Sequence, residues 1–383
     1  MRNSVDLAET RSSFRTWIEE NLPSEWRDLS HGEADDKLAY VRREWGRRLY
    51  AGGWLGVCWP VEYGGRALSM AHYRVVIEEQ AAVGAPEPIN NNSIAIFAPL
   101  LMTHGSEELR QRYLLPMLMH DEVWCQGFSE PGAGSDLAAL STRAKPDTGG
   151  WRLTGQKLWT TYGELADYCY ILVRTDSEAP KRDGITMMIL DMRQPGVDVK
   201  PLRNLSGSAE FSEIFLDGAF VPDSHVVGPV NGGWRLAISA LSSERGMNIV
   251  QRGLAMSREF DIVRKWASGE NTGSGFDPLI KDRLVDSLIA CRAMRSVAHR
   301  LLDDSVTGGI SSRLASVAKV HWSESHQELL RLGVEILGNQ LNSPTYTEWV
   351  RAFLFSRAET IYAGTTEIQR NNLARDMGLP SGR

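Results

Sequence analysis

The chain has 383 residues and carries 42 basic against 48 acidic side chains, a formal net charge of −6. Its 42% hydrophobic and 23% charged residues are those of an ordinary globular chain, which excludes collagen-like, low-complexity and disordered classes. No basic run resembles a phosphate-backbone footprint, so nucleic acid is not an expected partner, and the longest apolar run, Ile94 to Met102, contains Pro99 and is too short to span a bilayer.

The N-terminal stretch alternates charged and apolar residues without a signal-peptide core, so a cytoplasmic location and no membrane insertion are expected. Four cysteines, Cys58, Cys125, Cys169 and Cys291, are too few and too scattered for a disulfide framework or a zinc site. Buried, reduced thiols are the expectation.

The first part of the chain reads as helical. Phe14, Trp17, Ile18 and Leu22 share one helical face, and Leu38, Val41, Trp45 and Leu49 repeat the pattern up to Gly52-Gly53. A further helix is predicted from Ser106, carrying Leu109, Tyr113, Leu114 and Met117, with Pro116 bending or ending it. From Trp124 the texture changes to strands over Trp151–Thr161, Tyr168–Thr175, Gly184–Met192 and Ser212–Val221. Glycine, proline and aspartate punctuate them without intervening helices. That spacing predicts an antiparallel barrel or sandwich rather than a Rossmann sheet.

After Asn231-Gly232-Gly233 the helical period returns. Asp277-Pro278 is a good N-cap and first-turn pair, followed by Leu284, Leu288, Val297, Leu301 and Leu302. Gly308-Gly309 should end that helix, Ser311-Ser312 can cap the next, and a last helix is expected between Gly364 and Gly378, with Pro380 beyond. Long helices joined by short turns predict a four-helix bundle.

Several chemistries have no motif here: there is no G-x-S-x-G elbow, no Walker loop and no H-E-x-x-H. His321 and His326 are five apart, which points them to different sides of a helix, and no metal site is expected. Gly132-Ala133-Gly134 is the one compact glycine loop beside a strand, and Leu137 stands where a Rossmann fingerprint needs its third glycine. Small residues there let a ligand approach exposed N–H groups. Alone, the loop reads better as a surface turn.

Its context is more specific. The run Trp124-Cys125-Gln126-Gly127-Phe128-Ser129-Glu130-Pro131-Gly132-Ala133-Gly134-Ser135-Asp136 resembles the first signature of the acyl-CoA dehydrogenase family. Three landmarks accompany it in order: Gly53-Trp54 through Pro60-Val61-Glu62-Tyr63-Gly64-Gly65, then Lys157-Leu158-Trp159-Thr160-Thr161, then Ile361-Tyr362-Ala363-Gly364-Thr365-Thr366-Glu367-Ile368-Gln369-Arg370.

The resemblance spans nearly the whole chain. It implies an α+β fold with an N-terminal helical domain (1–122), a central antiparallel β-barrel (123–230) and a C-terminal four-helix bundle (231–383). It also implies FAD between barrel and bundle. Family flavin contacts carry over to Gln126, Phe128, Ser129, Ser135, Trp159, Thr160, Thr161, Thr365 and Glu367, with Thr161 near flavin N5 and Trp159 over one face of the ring. From residue type alone, Trp159 would read as a barrel-core aromatic.

The implied reaction removes the α-proton of an acyl-CoA thioester while a hydride leaves Cβ for flavin N5, giving a trans-2-enoyl-CoA. It needs a positioned carboxylate and a stabilised carbonyl oxygen. Many family members place the base just before the glycine of Tyr-x-Gly-Thr, where this chain has Ala363. A second family location, a Glu-Arg pair on the first bundle helix, matches Glu244 and Arg245, so Glu244 is the expected base and Arg245 a CoA contact. Ser135, Ala363 and Gly364 are the other expected substrate contacts, the N–H at position 363 holding the thioester oxygen.

An Arg-x-x-Phe-Gly stretch, which in family homotetramers completes a neighbour's FAD site, is missing from Arg264 to Phe276. The wording from Trp124 to Asp136 and the alanine at Ala363 also look like the subgroup for bulky acyl thioesters, including steroid side chains, some of whose members are heterotetramers. Expected partners are an electron-transfer flavoprotein and further subunits, identical or dehydrogenase-like. The competing readings are a flavin oxidase or monooxygenase of the same fold, and a silent structural subunit.

Overall fold

The computed structural model describes residues 6–28, 35–268, 277–307, 311–338 and 343–379, of which 27, 28, 35, 36, 242–248 and 305–307 are described as backbone only. In chain order the elements begin with α1 (Leu7–Asn21), α2 (Ser24–Asp28), α3 (Asp35–Ala51), α4 (Met70–Val83), α5 (Ala98–His104) and α6 (Glu107–Met119). Strands follow as β1 (Trp124–Gly127), β2 (Arg143–Asp147), β3 (Gly150–Thr161), β4 (Tyr168–Arg174), β5 (Ile185–Asp191), β6 (Val197–Leu202), β7 (Phe211–Pro222) and β8 (Val226–Val227). The chain then returns to helices: α7 (Gly233–Ala267), α8 (Pro278–Thr307), α9 (Ser312–Ile336), α10 (Pro344–Ser356) and α11 (Thr366–Asp376).

Local chemistry sets several boundaries. The Ser106 hydroxyl accepts from Leu109 N–H at 3.3 Å to start α6, whose buried face is Leu109, Tyr113, Leu114 and Met117. Pro116 does not end this helix, because α6 continues through Met119 and stops where His120 turns left-handed, at φ 62°. Asp277 caps α8 by accepting from Leu279 N–H at 2.8 Å, and Ser311 caps α9 through Leu314 N–H at 3.3 Å. The predicted stop at Gly308-Gly309 and Pro380 lie outside the described residues.

The strands form one sheet in the order β6-β7-β3-β2-β4-β5-β8, with β1 added on β4. The expected closed antiparallel barrel is not formed. Among the described residues β6 and β8 are unpaired ends of an open sheet, and β1 runs parallel to β4, from Trp124↔Tyr168 to Gly127↔Ile171. A parallel contact, Arg143↔Arg174, also joins β2 to β4.

Two compact units divide the chain. One comprises Arg42–Arg66 and Glu87–Glu244; the other comprises the N-terminal segment to Val41, Ala67–Pro86 and everything from Arg245 onward. In the first, β4 and β5 are buried on both faces, which explains their unbroken apolar sequence. Tyr170, Leu172, Met187 and Ile189 face a core shared with α5, α6 and the start of α7; Cys169, Ile171, Met188 and Leu190 face a second core with β3 and β7. In the other unit, α9 packs against α8, α10 and α11 around Met294, Leu301, Trp322 and Leu329.

Candidate active site

Within the sheet unit, β1 and the turn after it meet β3. Gln126 accepts a hydrogen bond from the Tyr170 hydroxyl at 2.7 Å, and Phe128 is buried edge-on against the Tyr170 ring. Ser129 is half-buried, and its carbonyl accepts from Leu158 N–H at 2.9 Å, which ties this segment to the Lys157–Thr161 run. Beyond it, Glu130 and Ala133 exchange two backbone hydrogen bonds of 3.0 Å, so the glycine loop is a closed turn. Ser135 is exposed on it. A Cβ added at Gly132 or Gly134 would meet no protein atom within 4 Å, and neither glycine needs a left-handed backbone. Among the described residues nothing requires those glycines, whereas a ligand lying against the loop would.

A buried ion pair supports this turn. Lys157 Nζ donates to Glu130 Oε1 at 2.7 Å and to the Phe128 carbonyl at 3.3 Å, and Glu130 also accepts from Ser141 N–H, the Ser141 hydroxyl and Thr142 N–H. Burial alone would raise the Glu130 carboxyl, but the Lys157 ammonium and these donors hold it down at about 2. Burial pushes Lys157 below its usual value, against the pull of Glu130. Sequence reading passed over this pair, although lysine and glutamate both stand inside the recognised motifs.

The next residues of β3 depart from regular pairing. Its register with β7 shifts between Lys157 and Thr160, and Trp159 occupies the bulge at φ 60°. A bulky residue in left-handed backbone costs roughly 1–3 kcal/mol, and such strain concentrates at ligand sites. The indole is 53% exposed, with an edge contact to Phe211, so it is not the core aromatic its residue type implied. Thr160 is buried with its hydroxyl oxygen unpartnered, and Thr161 is half-buried at the strand end. Tyr162 is again left-handed, at φ 55°; its N–H donates to Glu210 O at 2.7 Å and Arg42 donates to its hydroxyl. The exposed indole, the unpartnered hydroxyl and the open glycines fit a planar, polar cofactor such as a flavin.

The helical unit holds the remaining predicted residues. Thr365 caps α11, its hydroxyl accepting from Ile368 N–H at 3.3 Å, and Glu367 is exposed in the first turn. Hydrogen bonds from its own backbone N–H and from Thr365 hold the Glu367 carboxyl below its usual range. Ala363 and Gly364 before the cap are both left-handed, at φ 53° and 86°, and Gln369 Nε2 donates to the Ala363 carbonyl at 3.0 Å. Glu244 and Arg245 sit on the helical backbone of α7, but their side chains lie outside the described residues, as do positions 269–276 of the missing interface motif.

Among the described residues no group of three or more His, Cys, Asp and Glu could hold a metal ion, and no helix is long and apolar enough to cross a membrane. His321 bonds the Ala290 carbonyl at 3.0 Å, whereas His326 meets Glu259 and Glu359. Cys125, Cys169 and Cys291 are buried free thiols; burial, then Cys169, raises the Cys125 thiol.

Family models cover almost the whole chain: the acyl-CoA dehydrogenase N-terminal domain over residues 5–121, the middle domain over 125–219 and the C-terminal domain over 231–378. Acyl-CoA dehydrogenase IpdE1 of Mycolicibacterium smegmatis is 36% identical over 393 residues, covering 98% of each chain. Among solved structures, the Tcur3481-Tcur3483 steroid ACAD aligns over 100% of this chain and 99% of its own, with a TM-score of 0.87 and 29% identity. The ChsE4-ChsE5 complex from Mycobacterium tuberculosis aligns over 100% of both chains, with a TM-score of 0.84 and 29% identity.

Proposed function

The chain belongs to the acyl-CoA dehydrogenase family, a family of flavoprotein enzymes, and from that premise we propose that it converts an acyl-CoA thioester into its trans-2-enoyl-CoA with Glu244 as the base. The observation that carries the site assignment is the strained bulge at Trp159, which presents an indole to solvent beside an unpartnered Thr160 hydroxyl.

FAD, when bound, supplies the hydride acceptor. Gln126, Phe128, Ser129, Ser135, Trp159, Thr160 and Thr161 are the proposed contacts in the sheet unit, and Thr365 and Glu367 those in the helical unit. Trp159 would lie against one face of the ring and exclude water from it. The Glu130–Lys157 pair locks the turn that carries the small, open glycines.

The protein's own work is on the proton. A thioester α-carbon is weakly acidic, so Glu244 takes the proton while the Ala363 N–H donates to the carbonyl oxygen that gains charge. Ala363 has no side chain able to take a proton, and its left-handed backbone sets the direction of that N–H. Ser135, Arg245 and Gly364 complete the proposed acyl-CoA contacts.

Substrates of the bulky class, including steroid side-chain thioesters, are proposed because the two solved structures just described include one titled a steroid ACAD. An electron-transfer flavoprotein is the proposed acceptor, and an oligomer with identical or dehydrogenase-like subunits the proposed assembly. The family domains are proposed to meet at 122/123 and 230/231. The test is anaerobic mixing of the FAD-loaded protein with a panel of acyl-CoA thioesters, in which a bulky thioester should bleach the visible flavin band fastest. Rapid turnover with air as the sole acceptor would contradict the dehydrogenase reading.

A further inference from the structure

The helical unit buries an ionic cluster that the chemistry above does not use. His326 on α9 has Nδ1 at 2.9 and 2.8 Å from the two carboxylate oxygens of Glu359, and Nε2 at 2.9 Å from Glu259 on α7. Carboxylates only accept, and a neutral imidazole has a single N–H, so both contacts together require the imidazolium. Its side chain is 12% exposed and that of Glu359 is 6% exposed. Burial alone would strip the His326 proton; the two carboxylates reverse this and raise its pKa to about 10.

Glu359 lies near the start of the short connection from α10 to α11 that carries Ala363 and Gly364. Lys319, about two turns before His326 on the same side of α9, donates to the Glu359 carbonyl. Ser316, a further three residues back, donates at 2.8 Å to Gln369, whose amide nitrogen holds the Ala363 carbonyl at 3.0 Å. One face of α9 is thus a buried polar stripe, and besides Glu259 on α7 it contacts this connection and the helix it enters. Buried ion pairs contribute little net stability compared with apolar packing, but they specify one geometry. The geometry specified here includes Ala363 at φ 53°, a conformation alanine does not hold unaided.

We propose that His326, acting through Glu359, is a positioning residue that fixes the Ala363–Gly364 backbone so that its N–H meets the thioester oxygen. This rests on the reading that Ala363 binds that oxygen. Glu359 is the lever to test, because Glu359→Ala frees the connection while His326 keeps its pairing with Glu259. Glu359→Gln keeps an acceptor for the Nδ1–H. Lys319→Met withdraws the second grip, the donor to the Glu359 carbonyl.

The experiment reads the infrared carbonyl stretch of an isotope-labelled trans-2-enoyl-CoA bound to the FAD-loaded protein, beside the rate of flavin reduction at saturating substrate. In Glu359→Ala the stretch should move toward the free thioester's frequency and reduction should slow roughly ten-fold, with substrate affinity nearly unchanged. Lys319→Met should move the stretch in the same direction, and Glu359→Gln should restore most of both readouts. A purely structural role would lower melting temperatures and leave the bound carbonyl where it is, and that result overturns the proposal. So does an equal loss in Glu359→Ala and Glu359→Gln. A wild-type carbonyl unshifted from the free thioester would instead contradict the role of Ala363, and the proposal with it.

Discussion

Glu244, Ala363 and the Glu130–Lys157 pair make separable claims about single side chains. Glu244→Gln is nearly isosteric but cannot accept a proton near neutral pH. It should keep FAD and acyl-CoA binding and lose flavin reduction in stopped-flow, a loss confined to the chemical step. Reduction near the wild-type rate would remove Glu244 from the mechanism. Ala363→Gly should be mild in both rate and stability, within about 1 kcal/mol, because glycine relaxes a φ of 53° while adding chain entropy to the unfolded state. A defect matching Glu244→Gln would show that the position does more than offer an N–H. The Glu130 carboxyl is held down at about 2, so its contribution to stability is complete above the ordinary carboxylate range and is lost as pH falls toward 2. Lys157→Met leaves that carboxylate buried and unpaired. It should cost about 3–5 kcal/mol at neutral pH in denaturant melts, with a smaller difference from wild type in acid. An equal deficit at every pH would show that the pair is not ionic.

At the scale of elements, what the sequence made legible follows from what periodicity can report. The helical faces of α1 and α6 and the caps of α8 and α9 were legible because each rests on contacts within a few residues. Strands β3, β4, β5 and β7 were found to within a residue at each end because they are long and β-branched or aromatic. β6, with its alternating charged residues, and the two-residue β8 carry too little of that signal. Strand direction carries none: β1 beside β4 is parallel, and a period of two reads the same either way. The same limit hid the open edges and led to a closed barrel. The Lys157–Thr161 run was legible as a motif, but the bulge that turns the Trp159 indole outward arises from pairing with β7 far along the chain. The Glu130–Lys157 contact and the buried stripe of α9 join residues distant in sequence, and no local pattern announces them.

For the whole molecule, the apolar residues left outside are informative. Val285 and Ile289, one turn apart on α8, are 48% and 60% exposed. An association surface accounts for such exposure on a long helix better than solvent does. Native mass spectrometry of the chain expressed alone should therefore show an oligomer, or an aggregation-prone species that becomes discrete with a dehydrogenase-like partner. Fewer FAD than subunits would favour unlike pairs, and a fully active monomer would contradict association altogether. The central claim concerns two hydrogens. In an anaerobic single turnover, the FAD-loaded protein mixed with an acyl-CoA that bleaches its flavin should yield one trans-2-enoyl-CoA, lighter by two hydrogens, per flavin reduced. Flavin bleaching with the acyl-CoA recovered unchanged, or enoyl-CoA formed without flavin reduction, would contradict the account.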